Sequence, residues 1–240
     1  LWSGHRFPGK WSGRSAPAPT TLALNGPTTS LETDALTIGS SGTGGVGIFE
    51  LTGGAQARRP GTSTANALVI GHSGQADGRA LISGTNSLLK INRGATRIGR
   101  DANGALTIEG GGRFESGYMV AIGDQAGSRG EVLVQGPGSL FETTGNAPTY
   151  VGRDGHGQIH VRDSGQVHTQ YLADVGYTAG SHGNVLIEGP ASSWSIRKGL
   201  LYIGRRGHGA VTLSDGASLS MDSVSALDRD IILGAEESGQ

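Results

Sequence analysis

Seven positions, each following an apolar-Gly step, carry side chains that could bind or react: Ser40, His72, Arg100, Asp124, Arg153, Tyr177 and Arg205. If they stack in space, the arginines make a ladder suited to an anionic polysaccharide. Arg100, Asp124 and Arg153 on successive coils would also form cross-strand ion pairs, exposed and worth ~0–1 kcal/mol each. His156 and His208 occupy equivalent turns, with His182 near the turn between them. A metal would need these ligands to converge on one ion. Two coils would hold His156 and His208 about 10 Å apart unless His182 bridges them. The expectation is polar turn residues and no metal. The candidate binding set, on one turn face, is Arg100, Arg153, His156, Arg205 and His208.

The carboxylates point away from catalysis. Glu109, Glu131, Glu142, Asp163 and Glu188 mostly recur at repeat-equivalent sites, and Glu109 and Glu188 both follow the last apolar residue of a strand. A catalytic acid/base pair is normally a singular departure from a repeat. No Gly-x-Ser-x-Gly, His-Glu-x-x-His or phosphate-loop pattern occurs. A calcium-binding Gly-Gly-x-Gly-x-Asp repeat needs Asp at a fixed offset. Gly110-Gly111-Gly112-Arg113-Phe114 places Arg and Phe there instead, and Asp101, Asp154 and Asp174 do not restore the pattern. No catalytic residue, metal or cofactor is assigned.

What must position these side chains is a repeat. Apolar-Gly steps fall at Ile38, Ile70, Ile98, Ile122, Val151, Val175, Ile203 and Leu233, at intervals of 32, 28, 24, 29, 24, 28 and 30 residues. A strand with alternating apolar positions follows each turn: Phe49/Leu51, Ala80/Ile82, Leu106/Ile108, Val132/Val134, Ile159/Val161, Val185/Ile187 and Val211/Leu213. Period-two alternation puts both members of a pair on one, buried face. The next turn alternates between two kinds. One is Gly53-Gly54, Gly110-Gly111-Gly112, Ser164-Gly165 and Asp215-Gly216; the other is Gly84-Thr85-Asn86-Ser87, Gly136-Pro137-Gly138-Ser139 and Gly189-Pro190-Ala191-Ser192-Ser193. An apolar residue follows each: Ala57, Phe114, Val167 and Leu219 after the first kind, Leu89, Phe141 and Trp194 after the second. The true unit is therefore double, 60, 53 and 52 residues long from Ile38 to Ile203.

A copy this short cannot bury its apolar face alone, whereas stacked copies pair in parallel and line a common interior. A propeller blade needs ~40–50 residues. The expected fold is all-β: a right-handed, single-stranded parallel β-helix (β-solenoid) of about seven coils of 24–32 residues. Residues 1–30 read as an irregular entry or linker segment with a possible degenerate first coil, and residues 31–240 as the β-helix domain, cut off within a further copy. The start at Leu1 without Met also suggests a piece of a longer protein. Gly supplies 44 of 240 residues, and few stretches run long enough without Gly or Pro to sustain a helix. The net charge of −1 and the lack of basic-aromatic runs argue against nucleic acid as a partner. Cysteine is absent, and no apolar run approaches the ~18–20 residues of a spanning helix.

The pattern (Leu/Ile)-Gly-x-x-Gly-x-Gly-x-Val-x-Val-x-Gly-Pro-Gly-Ser-x-(Trp/Phe), best at Ile122 to Phe141 and Val175 to Trp194, resembles the Gly-rich repeat of autotransporter (type V secretion) passenger domains. The resemblance spans residues 36–240. It implies a secreted β-helical passenger at the cell surface or outer membrane of a Gram-negative bacterium, or released outside it, with a C-terminal outer-membrane β-barrel translocator beyond this sequence. It implies an adhesin-like or stalk role, with host or matrix glycans or surface proteins as partners, and brings no catalytic residues. The alternative from another class is a polysaccharide-degrading β-helix, a lyase or hydrolase; a carboxylate cluster on one solvent face would favour it.

Overall fold

In a computed structural model describing residues 18–40, 44–222 and 230–234, the chain winds into a parallel β-solenoid. The described residues hold 24 strands in three eight-stranded sheets, and each coil contributes one strand to each sheet. Coil 5 is typical: Arg129–Gln135 lies in sheet A, Leu140–Thr143 in sheet B and Thr149–Val151 in sheet C. Coils 1 to 8 span 20–38, 46–70, 77–98, 103–122, 129–151, 156–175, 182–203 and 208–233. That is one coil more than the seven expected, and each of the eight apolar-Gly steps closes one of them. The extra coil begins at Thr20, where Leu22 and Leu24 align with Phe49 and Leu51. At ~4.8 Å per strand step the stack is roughly 34 Å long. Among the described residues there is no helix.

The hydropathy pattern sets the register. Phe49, Ala80, Leu106, Val132, Ile159, Val185 and Val211 face one another directly across successive sheet A strands. Ala57, Leu89, Phe114, Phe141, Val167, Trp194 and Leu219 do the same in sheet B. In sheet C, Ile38, Ile70, Ile98, Ile122, Val151, Val175, Ile203 and Leu233 form the third column. These columns fill the interior. Phe114 and Phe141 pack with ring centroids 5.0 Å apart, and buried Trp194 donates its indole N–H to Thr169 Oγ1 at 2.9 Å. In coil 8 the pattern continues without burial: Leu213 is 41% and Leu233 72% exposed, as befits the end of a stack.

Two corner devices hold the coils together. After each sheet C strand the chain turns through glycine. At Gly152 φ is +71°, and a Cβ there would strike the main-chain carbonyl of His182 in the coil after next. Glycine is needed twice over, for the left-handed conformation and for the close approach. At the corner between sheets A and B, the two alternating turns turn out to be partners. The buried Ser87 Oγ of coil 3 accepts the N–H of Gly54 in coil 2 at 3.0 Å. Ser139 accepts from Gly111 at 3.1 Å and Ser192 from Ser164 at 3.0 Å in the same way. At three of the intervening interfaces a main-chain carbonyl serves instead: Gly26 N–H donates to Thr52 O, Gly84 N–H to Glu109 O and Gly189 N–H to Ser214 O. The double repeat is therefore an alternation of acceptor chemistry.

Candidate functional site

The chemistry-bearing side chains gather where sheet C turns into sheet A. On the sheet C side, the outward positions Arg97, Ala121, Tyr150, Asp174 and Tyr202 lie in one column across coils 3 to 7. Beside it runs the column that follows the corner glycine, with Arg100, Asp124, Arg153, Tyr177 and Arg205. Its arginines fall on coils 3, 5 and 7, about 9.6 Å apart at two strand steps each, and Asp124 and Tyr177 stand between them.

Asp124 is not the exposed partner that stacking alone suggests. Its side chain is fully buried, because arginines from the coils on either side cover it. Arg97 reaches Oδ2 and Arg153 Nη1 reaches Oδ1 at 2.9 Å. Arg100 does not join this pair; it meets His72 Nε2 at 2.8 Å and Asp101 at 3.2 Å. Removing one partner of a buried pair typically costs 3–5 kcal/mol, so Arg153 is held in a structural role.

One double repeat further on, the same face is built differently. Asp174 is also fully buried, but a single arginine, Arg205, accompanies it, with Nε 3.2 Å from Oδ1. That approach is poorly directed for hydrogen bonding, and both carboxylate oxygens are buried without a hydrogen bond. Burial pushes the Asp174 carboxyl up to about 6, outweighing the opposing pull of Arg205. Aromatic rings form the cover. The Arg205 guanidinium lies 3.7 Å from the Tyr202 ring centroid and 5.6 Å from that of Tyr177. Tyr177 meets Tyr150 at 4.8 Å, and Arg153 sits 5.8 Å from the Tyr150 centroid. Burial, then the neighbouring Tyr177 and Asp174, push the Tyr150 phenol up. Tyr202, Arg205, Tyr177, Tyr150 and Arg153 thus make one continuous stack along the rod.

Round the corner, on sheet A, His156, His182 and His208 stand in direct register. Their rings stack at 4.6 and 4.8 Å. His182 does lie between the other two, but as a parallel neighbour, and the imidazoles do not converge on one point. They line an open groove with Arg129, Gln158 and Asn184, and no carboxylate contributes to its wall. Arg129 pairs with Glu131 at 2.6 Å.

Of the five residues singled out in the sequence, Arg153, His156, Arg205 and His208 flank this corner on coils 5 to 8. Arg100 lies two coils from Arg153. Tyr150, Asp174 and Tyr202 carry no signal of their own in the sequence, because outward strand positions follow no hydropathy rule. The carboxylates are dispersed. Glu109 accepts from Gln135 at 2.7 Å, Glu188 pairs with His160 at 2.7 Å, and Glu142 lies on sheet B with Arg197 at 2.9 Å. Burial, then Arg197, holds the His168 imidazole beside it below its usual range. No family model, curated protein or solved structure matches the chain.

Proposed function

We propose that this chain is a non-enzymatic segment of a cell-surface or secreted passenger protein, adhesin-like, that makes shallow contact along the sheet C to sheet A corner. One observation carries the reading. The side chains able to bind recur coil after coil in register, so they present a row of donors and rings instead of converging on one reacting point. Each coil advances the rod by ~4.8 Å, close to the length of one pyranose unit, which suits an extended glycan lying along the axis. The repeat's resemblance to autotransporter passengers supports display at or release from the outer membrane of a Gram-negative bacterium, through a β-barrel translocator outside this sequence. A stalk role is the limiting case in which the corner binds nothing.

A polysaccharide-degrading enzyme is the second reading. Its favouring observation is that Glu115 and Glu142 are in direct register on neighbouring strands, whose backbones lie ~4.8 Å apart, which sets two carboxylates side by side as a retaining glycosidase requires. Against it, Lys90 holds Glu115 at 2.8 Å, Arg197 holds Glu142 at 2.9 Å, and Arg113 lies within 3.6 Å of both. Incubating the protein with a polysaccharide panel separates the readings. Retention without release of reducing or unsaturated ends is the expected result. Product formation above a heat-treated control overturns the binding reading.

A further inference from the structure

Two buried aspartates at the sheet C to sheet A corner, Asp174 on the sheet C strand and Asp124 just past the corner glycine, provide an internal comparison. Asp124 has a guanidinium on each oxygen, one from the preceding and one from the following coil. Asp174 has Arg205 alone, on one oxygen, without a well-directed hydrogen bond. The difference traces to the neighbouring coil. Arg97 stands one coil before Asp124, across from the small Ala121, whereas the residue paired across from Asp174 on the preceding strand is Tyr150, which offers a ring face and no cation.

We infer that Arg205 is the exchangeable anion-binding residue of the corner and Asp174 its built-in competitor, so that an acidic polysaccharide takes the guanidinium when Asp174 gains a proton. This rests on the surface-binding reading above and supplies its ligand class and its regulation. The guanidinium is already oriented by Tyr202 and Tyr177, and a carboxylate on the ligand can accept two parallel N–H bonds from it, which Asp174 does not. Arg153 is not equivalent, since Asp124 holds it by a 2.9 Å hydrogen bond.

The charged and titratable groups facing Asp174 are few. Tyr150 comes from the preceding coil with Arg153 beside it, Tyr177 from its own coil, and Tyr202 and Arg205 from the following one. Arg205 is the group whose charge opposes the effect of burial on Asp174. Above about pH 6 the carboxylate is ionised and engages Arg205; below it the carboxyl is neutral and the guanidinium faces the ligand uncompensated.

The test uses the full chain and polygalacturonate, with dextran as the neutral polymer and monomeric galacturonate to separate polymer binding from binding of any carboxylate. If binding requires neutral Asp174, apparent affinity for polygalacturonate falls roughly 100-fold between about pH 5 and pH 8. D174N is expected to bind at both pH values with the acid-state affinity, and R205Q to lose binding at both. Because D174N keeps His156, His182 and His208, its difference from the parent chain isolates Asp174. A carbon-13 carboxyl titration of Asp174 without ligand, expected near pH 6, checks the switch independently, and thermal melts confirm that both variants fold. Unchanged pH dependence in D174N, or full binding by R205Q, overturns the inference. Retention of dextran but not polygalacturonate overturns it while leaving the proposed function standing. Retention of neither sinks both.

Discussion

Replacing Ser87 with alanine tests the acceptor alternation directly. Ser87 is fully buried; its hydroxyl donates to Ser83 O at 2.8 Å and accepts the N–H of Gly54, itself buried, at 3.0 Å. Alanine keeps the backbone and nearly the volume but strands that N–H. A buried donor left without a partner costs about 1–3 kcal/mol, whereas a hydrogen bond that water can replace costs ~0.5–1.5 kcal/mol. Ser139→Ala and Ser192→Ala, whose donors Gly111 and Ser164 are only half-buried, belong nearer the lower figure. Exposed Ser220→Ala, in the last coil, is the control and should change stability by less than ~0.5 kcal/mol. Urea unfolding gives the global values. Since repeat arrays can unfold in parts, amide exchange at Gly54 supplies the local one, and it should accelerate in Ser87→Ala. If Ser87→Ala costs no more than Ser220→Ala, and Gly54 exchange is unchanged, the hydroxyl is not what distinguishes the two turns.

Two further outcomes follow from the interior and from Asp174. Phe141→Ala opens a void beside Phe114 at a fully buried position and should lower stability by about 3–5 kcal/mol; a thermal melt without loss would contradict that packing. For Asp174, the folded-state carboxyl is raised from the ordinary 3.8 to about 6, so its ionised form is the one burial disfavours. Its destabilising contribution is fully present above pH 6 and is relieved as pH falls through 6 toward 4. At ~1.4 kcal/mol per pH unit this is at most about 3 kcal/mol. Unfolding measured at about pH 7.5 and pH 4.5 should show this acid gain in the parent relative to D174N; an equal pH response in both chains would refute it.

The inward half of every strand could be read from the sequence, because burial imposes a period of two and stacking repeats it. Phe141 and Trp194 sit where that rule puts them. The outward half could not. Tyr150, Asp174 and Tyr202 come together only through a register set by the inward residues across 24 and 28 positions. The burial of Asp124 needed arginines from two other coils. Arg59 breaks the rule in the opposite sense: it occupies the inward column of Ile91 and Ser116, yet is buried with no carboxylate partner among the described residues. Its guanidinium donates to the carbonyls of Asp34, Gly61, Ser63 and Arg93 and so pins the loop that makes this interval the longest. The two turn types were visible as a pattern, but the hydroxyl that gives them a cause appears only when one coil is laid on the next.

Each strand finds its partner one coil away, in every sheet. No pairing must wait for a distant part of the chain, so the usual entropy of closing long loops never accumulates. Once a single coil has formed it offers a complete template of three strand edges, and the next 24–32 residues suffice to extend it. A chain emerging end first through a narrow opening can therefore fold as it appears, and each coil laid down opposes the chain's sliding back. The order of the sequence becomes the order of assembly.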